Sequence, residues 1–417
     1  MTISKSEGVW LGVIRLDCAA EGSTPMKYFS PTNESNRLVW IDAARGFAIF
    51  GIFIVNIGAF SAPYFMYGGA EVGWSSPVDR VTQGFIDIFF QASFYTLFSI
   101  LFGFGIQLLK DRLVARNADV QSFLFRRLII LVGFGIFHAF FIWHGDILLS
   151  YGLAGILLLL FLNVKDKALI LWSILLFGGS VGLLSLAMYG ARNYLGGYDE
   201  SLINQTLSNY QSNSLLTIWS QNYHDWLYAN GVISILFLAA TLIPLFLFGM
   251  YIARKQWLHK PNENKVTLKK IWVISLLAFI VIKMGPYLFG NPIWFSYIQD
   301  NIGGTASAIF YIISITLLAG SKQGILLIQP FISVGRMALT NYLLQSVISF
   351  ILFYGVGFGL YGSIRPAAGI IIVLVIFIMQ VYFSKWWFTR FRFGPMEWVW
   401  RSLSYNKLQP FRKSTKN

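Results

Sequence analysis

Only one cysteine, Cys18, stands in 417 residues, and charge is nearly as scarce: Asp, Glu, Lys and Arg together make 12% of the chain. The lone thiol excludes an intramolecular disulfide, a cysteine zinc cluster and an iron–sulfur site. A soluble domain carries roughly 25% charged residues, so about half the usual charge is missing. No Walker sequence, dinucleotide fingerprint or zinc-protease motif is present, which removes the support for soluble-enzyme chemistry and for a metal centre. Gly103-Phe-Gly105 reads as close helix packing, not phosphate binding. A cleavable signal peptide is also missing: the first 36 residues lack an apolar core of sufficient length, and Arg15 interrupts the best stretch. Residues 1–36 read as a disordered cytoplasmic leader, with Met26 a second candidate start.

What the chain has in abundance is apolar surface. Hydrophobic residues make 56% of it, aromatics 17%, and 38 of the residues are Phe; mean hydropathy is +0.61. The net charge of +14 invites a nucleic-acid reading, but that requires basic residues clustered on one soluble face. Here they sit between apolar runs and act as topology signals; a nucleic-acid partner is not expected.

Crossing roughly 30 Å of hydrocarbon takes about 20 mostly apolar residues. Candidate spans lie near 40–60, 84–109, 123–143, 147–163, 168–190, 230–254, 268–289, 303–319, 325–354 and 364–385. The 325–354 run is long enough to be tilted or broken, because Pro330 and Gly335 lie in its first half. With ten spans and both termini inside, 26 of the 32 Lys and Arg fall in inside segments. Outside segments hold Arg80, Arg192 and Arg365 alone, and three lie within spans. That asymmetry is what the positive-inside rule predicts for a cytoplasmic membrane, and one span more or fewer would scramble it. The expectation is therefore an all-α, polytopic inner-membrane protein with about ten transmembrane helices, in contact with membrane lipids. Residues 37–405 form a single membrane domain, and 406–417 a basic cytoplasmic tail. Trp40, Trp143, Trp257 and Trp386 fall at predicted borders, as an interfacial belt would. The one sizeable outside loop, about 191–229, is rich in Asn, Ser, Gln and Tyr and is placed to cap the outer face. No internal repeat stands out, which counts against an inverted-repeat transporter.

Ionisable and amide groups inside spans are costly and mark function more often than elsewhere. The first span carries Asp42 and Arg45, three residues apart on one helical face. Asn56 lies eleven residues beyond Arg45, within about 20° of the same face and about 16 Å higher. The stripe is either an intrahelical ion pair plus a helix-gluing amide, or a line of ligand contacts. His138 sits inside the outer end of span three, followed by His144-Gly145-Asp146 at the outer mouth. A buried His beside a carboxylate suits general-base work, the Asp fixing its tautomer. His138 and Asp146 are eight apart, however, and Gly145 turns the chain between them. His144 reads as an interfacial residue. In span nine, Arg336 and Thr340, then Asn341 and Gln345, make two polar stripes that either line a cavity or bind a neighbouring helix. Lys283 and Gln91 are isolated polar groups with no assigned role. After span ten, Glu397 and Arg401 are spaced for an i,i+4 pair among interfacial tryptophans.

These motifs resemble the YeiB-like family, known as domain of unknown function 418. The resemblance rests on Arg37-Leu-Val-Trp-Ile-Asp42-Ala-Ala-Arg45-Gly46 with Val55-Asn56-Ile57, on Leu97-Phe98-Ser-Ile-Leu-Phe102-Gly103, and on Arg126-Arg127. It continues through His138, Gly145-Asp146-Ile147-Leu148, Gly335-Arg336-Met337-Ala338-Leu339-Thr340-Asn341-Tyr342 and Gly394-Pro395-Met396-Glu397-Trp398-Val399-Trp400-Arg401. It covers about 37–405. The family's activity is largely unassigned, with transport its loose description.

The first-span motif is also similar to two membrane acyltransferase groups. In acyltransferase family 3 an Arg is followed eleven residues later by a His; in the heparan glucosaminide acetyltransferase group, Asn takes that place, as Arg45 and Asn56 do here. That resemblance implies that Arg45 helps hold the phosphates of a cytoplasmic acyl-CoA, with the acyl group passing to a small-molecule, glycan or lipid acceptor near Asn56. This chain departs from the acetyltransferase group where that group places its catalytic His: Tyr67 stands eleven residues after Asn56. The base would then be His138, oriented by Asp146. Asp42, Arg45, Arg336 and Asn341 are the candidate substrate-binding residues, and His138, Asp146 and Asn56 the candidate catalytic ones. Two other readings use the same residues: a transporter or exporter of a small molecule or lipid, and a non-catalytic membrane partner.

Overall fold

In a computed structural model, residues 38–413 are described; the expected leader, 1–36, and residues 414–417 lie outside them. Helix α1 (Val39–Ser61) stands at the centre, with 15 of its 23 residues buried. It follows from the sequence: an apolar run, broken only by Asp42, Arg45 and Asn56 before its closing Ser61, with Ala and Gly at the positions where neighbours press closest. A Cβ on Gly46 would meet the Phe331 carbonyl, and one on Gly335 the Asp42 carbonyl, so the two backbones cross almost in contact. Small residues at the crossing point are how helices associate where lipid removes the hydrophobic drive.

The other helices follow in chain order: α2 (Pro77–Phe89), α3 (Ser93–Val114), α4 (Val120–Phe141), α5 (Leu148–Leu158), α6 (Asp166–Gly190), α7 (Glu200–Tyr210), α8 (Leu215–Ala229), α9 (Val232–Lys255), α10 (Lys265–Phe279), α11 (Gly304–Leu318), α12 (Lys322–Arg336), α13 (Ala338–Phe353), α14 (Pro366–Arg390) and α15 (Pro395–Ser404). Among the described residues there is no named strand; one isolated antiparallel bridge joins Phe391 to Arg412. The protein is all-helical, as the sequence led us to expect.

Among the described residues, eight helical runs are long and apolar enough to cross a membrane, and a ninth is a broken pair. Helix α12 and helix α13 meet at an 80° bend. The break falls at Met337, not at Pro330, which lies inside α12. The remaining expected span, 147–163, is the short apolar helix Leu148–Phe161. Fourteen helical residues rise only about 21 Å, less than a full hydrocarbon thickness. Asp146 caps its start and a 3₁₀ turn over Leu159–Phe161 ends it. The second span begins earlier than expected, at Pro77, and is interrupted where Ala92 takes φ +60° between α2 and α3.

Helices with exposed apolar flanks complete the membrane reading. On α6, Leu171, Trp172, Ile174, Leu175, Leu183 and Leu186 all face outward. A stripe of that size without an aqueous explanation is lipid-facing surface. The expected outer loop is a helical hairpin, α7 and α8, which donates from Trp219 Nε1 to the Phe141 carbonyl (3.1 Å) at the end of α4. The end of the molecule holding Asp42, Arg45 and Arg336 is called the basic face below, and the end capped by α7 and α8 the far face.

Candidate functional site

On the basic face, Arg45 lies 3.9 Å from Asp42, the pair expected from their spacing; Asp42 is buried and Arg45 half-exposed. Arg127, about two turns inside α4, places its guanidinium 3.7 Å over the Trp400 ring, and Trp400 Nε1 donates to the Arg127 carbonyl (2.8 Å). Arg401 and Arg45 are its nearest cationic neighbours in electrostatic terms. Arg336 lies 4.0 Å over Phe388, and Arg401 4.6 Å over Phe393. The crossing of Gly335 on Asp42 brings the α12 terminus to the start of α1. Four guanidiniums thus gather near two carboxylates, Asp42 and Glu397. Glu397 accepts from the Thr340 amide (3.0 Å) and from Thr340 Oγ1 (2.6 Å), which caps the start of α13.

Asn341, expected as a substrate contact, is 0% exposed. Its Nδ2 donates to the Val334 carbonyl and to Ser384 Oγ, both at 3.1 Å, and its backbone carbonyl accepts from Gln380 Nε2, while Oδ1 has no hydrogen-bond partner among the described residues. Gln345 Nε2 donates to Gln380 Oε1 at 2.9 Å. The Asn341–Gln345 stripe is spent on holding α13 to α14, the second of the two alternatives the spacing left open.

Toward the far face, α1 carries Phe47 and Phe50 between Arg45 and Asn56. Phe47 packs edge-on against Phe94, Tyr311 and Phe331, and Phe50 against Phe90 and Phe377. Beyond this aromatic layer lies a cavity of about 330 Å³ whose wall includes Asn56, Gln91, Tyr95, His144, Asp146 and Ser150. The side-chain amide of Asn56 makes no hydrogen bond to the protein among the described residues. The break at Gln91-Ala92 supplies the opposite wall.

His138 Nδ1 is 2.7 Å from Asp146 Oδ1, both side chains fully buried. The chain turns back over Ile142–Ile147 to bring them together. Asp146 Oδ2 accepts from the Leu149 amide (2.6 Å), capping α5. The ring of His138 rests on Tyr342 (5.2 Å between centroids), and its Nε2 is buried with no hydrogen-bond partner among the described residues. The cavity wall includes Asp146 but not His138.

His144 does line the cavity and is 5% exposed, a buried residue and not the interfacial one expected. Its Nδ1 lies 3.1 Å from the Tyr210 hydroxyl and 3.5 Å from Asp225 Oδ2. Tyr210 and Tyr67 donate to the two oxygens of Asp225 (2.7 and 2.6 Å), and Gln221 Nε2 donates to Oδ1 (2.6 Å). Burial pushes the His144 imidazole below its ordinary value of 6.5, with the Asp225 carboxylate opposing the shift. Asp225, Tyr210 and Gln221 were not singled out in the sequence. The signal was there: Ile218, Gln221, Asn222 and Asp225 recur at helix period, and all four are buried on one face of α8.

A set of helices long and apolar enough to cross a membrane, with buried polar clusters at both ends of α1, defines a polytopic membrane protein. Full-length relatives make the family specific. The chain is 34% identical over 412 residues to the uncharacterized protein YxaH of Bacillus subtilis, covering 94% of this chain and all of that one. It is 30% identical over 403 residues to the uncharacterized protein YeiB of Escherichia coli, covering 90% and 98%. The profile of the family described as "Protein of unknown function (DUF418)" matches residues 252–407. This chain belongs to the DUF418 family. No solved structure matches it.

Proposed function

We propose that this protein is a membrane acyltransferase of the bacterial inner membrane. The basic face, in the cytoplasm, takes a donor with a multiply anionic head, an acyl-CoA, and the acyl group passes to an acceptor in the far-face cavity. One observation carries the reading: the Asn56 amide faces the same cavity as Asp146 and His144, while Arg45 heads a guanidinium cluster at the other end of the same helix. Guanidiniums stacked on aromatic rings bind phosphate in a planar, two-pronged fashion that ammonium groups do not. Asn56 is placed to polarise the acyl carbonyl, and such a donor contributes on the order of 3 kcal/mol to a transition state. The reaction also needs a base at the cavity. His144 borders that cavity, and His138 is joined to it through Asp146.

The test is binding and hydrolysis of acetyl- and longer acyl-CoA by the purified protein. Wild type should bind and Arg45→Ala should lose about tenfold or more in affinity, which is 1.4 kcal/mol. No binding, or binding indifferent to Arg45→Ala, overturns the proposal.

A second reading, export of a small molecule or lipid, draws on the aromatic layer around Phe47 and Phe50, which lies between the two polar ends. A transporter needs such a closure on one side of its site. It predicts substrate flux in proteoliposomes with no covalent product, where the acyltransferase predicts acylated acceptor.

A further inference from the structure

We infer that His144, and not His138, is the base that takes the acceptor's proton, with Tyr210 and Asp225 holding it in the tautomer that can do so. The inference rests on the acyl-transfer reading and assigns the proton-accepting atom within it.

The hydrogen-bond directions follow from who can donate. Asp225 Oδ2 lies 2.7 Å from the Tyr210 hydroxyl, so Tyr210 gives its proton to the carboxylate. Asn222 Oδ1 lies 2.9 Å from the same hydroxyl and can only accept, which leaves His144 Nδ1, at 3.1 Å, as the neighbour able to donate to it. Nδ1 therefore carries the proton in the neutral ring, and the lone pair sits on Nε2. Asp225 is fixed in turn by Tyr67 and Gln221, so the group that orients His144 is itself oriented. His144 borders the cavity that Asn56 borders. Burial keeps its imidazole neutral at neutral pH, the state a base requires.

His138 lacks this access. It is 0% exposed, packed on Tyr342, with Nδ1 committed to Asp146. Its role is to hold Asp146 in the cavity wall. It is a positioning residue.

The step balances. The acceptor X–H attacks the thioester carbonyl, the X–C bond forms and the C–S bond breaks. The proton on X moves to His144 Nε2 and then to water at the far face. Sulfur leaves as thiolate and takes a proton from water at the basic face, giving acyl–X and free thiol.

Peptide-level mass spectrometry after diethylpyrocarbonate treatment tests, without any donor, whether His144 Nε2 can be reached. The chain has four histidines, at 138, 144, 224 and 259. The expected order is modification at His144 with His138 untouched. Modification of His138 while His144 stays intact overturns the assignment, whatever acyl-CoA does. With acetyl-CoA as donor, His144→Gln should lower turnover about 100-fold or more with donor binding unchanged. Asp225→Asn should shift the acid limb of the pH–rate profile to lower pH, an effect a purely structural carboxylate would not have. Wild-type turnover in His144→Gln, with loss in His138→Gln, also overturns it. Absence of acyl-CoA binding in wild type sinks the acyltransferase reading, while the modification result still decides which histidine serves the cavity.

Discussion

Glu397 closes two hydrogen bonds on Thr340, 57 residues earlier, one on the backbone amide and one on the hydroxyl. The amide is buried in the first turn of α13, where the 80° break has stripped it of an intrahelical partner. Thr340 Oγ1 in turn accepts from the Met396 amide (3.1 Å), so the terminal Gly-Pro-Met-Glu segment and the broken span lock together. Glu397→Ala should therefore cost about 1–3 kcal/mol, because it leaves a buried donor unsatisfied. Glu397→Gln, which can still accept, should recover most of it. Thermal unfolding of the purified protein in detergent reads the difference.

That coupling was half legible. Spacing puts Glu397 and Arg401 on one helical face, but nothing in a linear chain says that a carboxylate after span ten faces an amide in span nine. The Asp42–Arg45 pair was readable, because helix period alone sets it. His138 and Asp146 were readable as chemistry and not as contact: eight residues apart, they meet through a reversal over 142–147 that the period does not describe. Asn341 was ambiguous because an inward amide has the same spacing whether it meets a ligand or Ser384. Asp225 was passed over because a polar loop invites no search for helix period, although α8 carries one. The span near 147–163 was read by hydropathy, which locates the helix Leu148–Phe161 but does not register that it is short for a crossing.

Gly46 and Gly335 differ from most glycines here in what a methyl would strike. A Cβ at 335 would lie 1.8 Å from the Asp42 carbonyl oxygen, and one at 46 would lie 1.9 Å from that of Phe331. Backbone on both sides leaves nothing flexible to give way. Gly335→Ala should cost more than about 2 kcal/mol through overpacking. Gly178→Ala, in α6 with nothing within 4 Å, should be neutral or slightly stabilising, since Ala favours the helix. The pair of variants, compared by yield and thermal midpoint, separates packing from propensity.

Lys283 is 0% exposed and lies 3.0 Å from Asp300, the two carried on neighbouring π-helical turns. Removing one member of a buried pair strands the other's charge. Lys283→Ala should destabilise by about 3 kcal/mol, whereas the double variant Lys283→Met with Asp300→Leu should approach wild type or exceed it. Unfolding in a denaturing detergent series checks both. A double variant as unstable as the single one would mean that the pair has further partners.

His144 gives stability a pH dependence with a definite sign. Its folded value lies below 6.5 because of burial, so below pH 6.5 the unfolded chain binds more protons than the folded one. Stability from this group is complete above 6.5 and is lost as pH falls through 6.5 toward the folded value. The thermal midpoint should drop between about pH 7.5 and 5.5, and His144→Gln should flatten that part of the curve. A drop of the same size in the variant would assign the effect to another group.

Orientation decides whether the guanidinium cluster can meet a cytoplasmic donor at all. The charge bias places the turn between α11 and α12 inside and the α7–α8 hairpin outside. Gln323 and Asn213 are exposed at those two turns. Single cysteines there, in a Cys18→Ser background, should separate cleanly with a membrane-impermeant thiol reagent on intact cells: Asn213→Cys labelled, Gln323→Cys labelled only after lysis. The reversed pattern would put Arg45, Arg127, Arg336 and Arg401 on the side where no acyl-CoA exists. The export reading would outlive that result, because a path through the membrane can be used from either side, whereas the acyl donor is found on one side only.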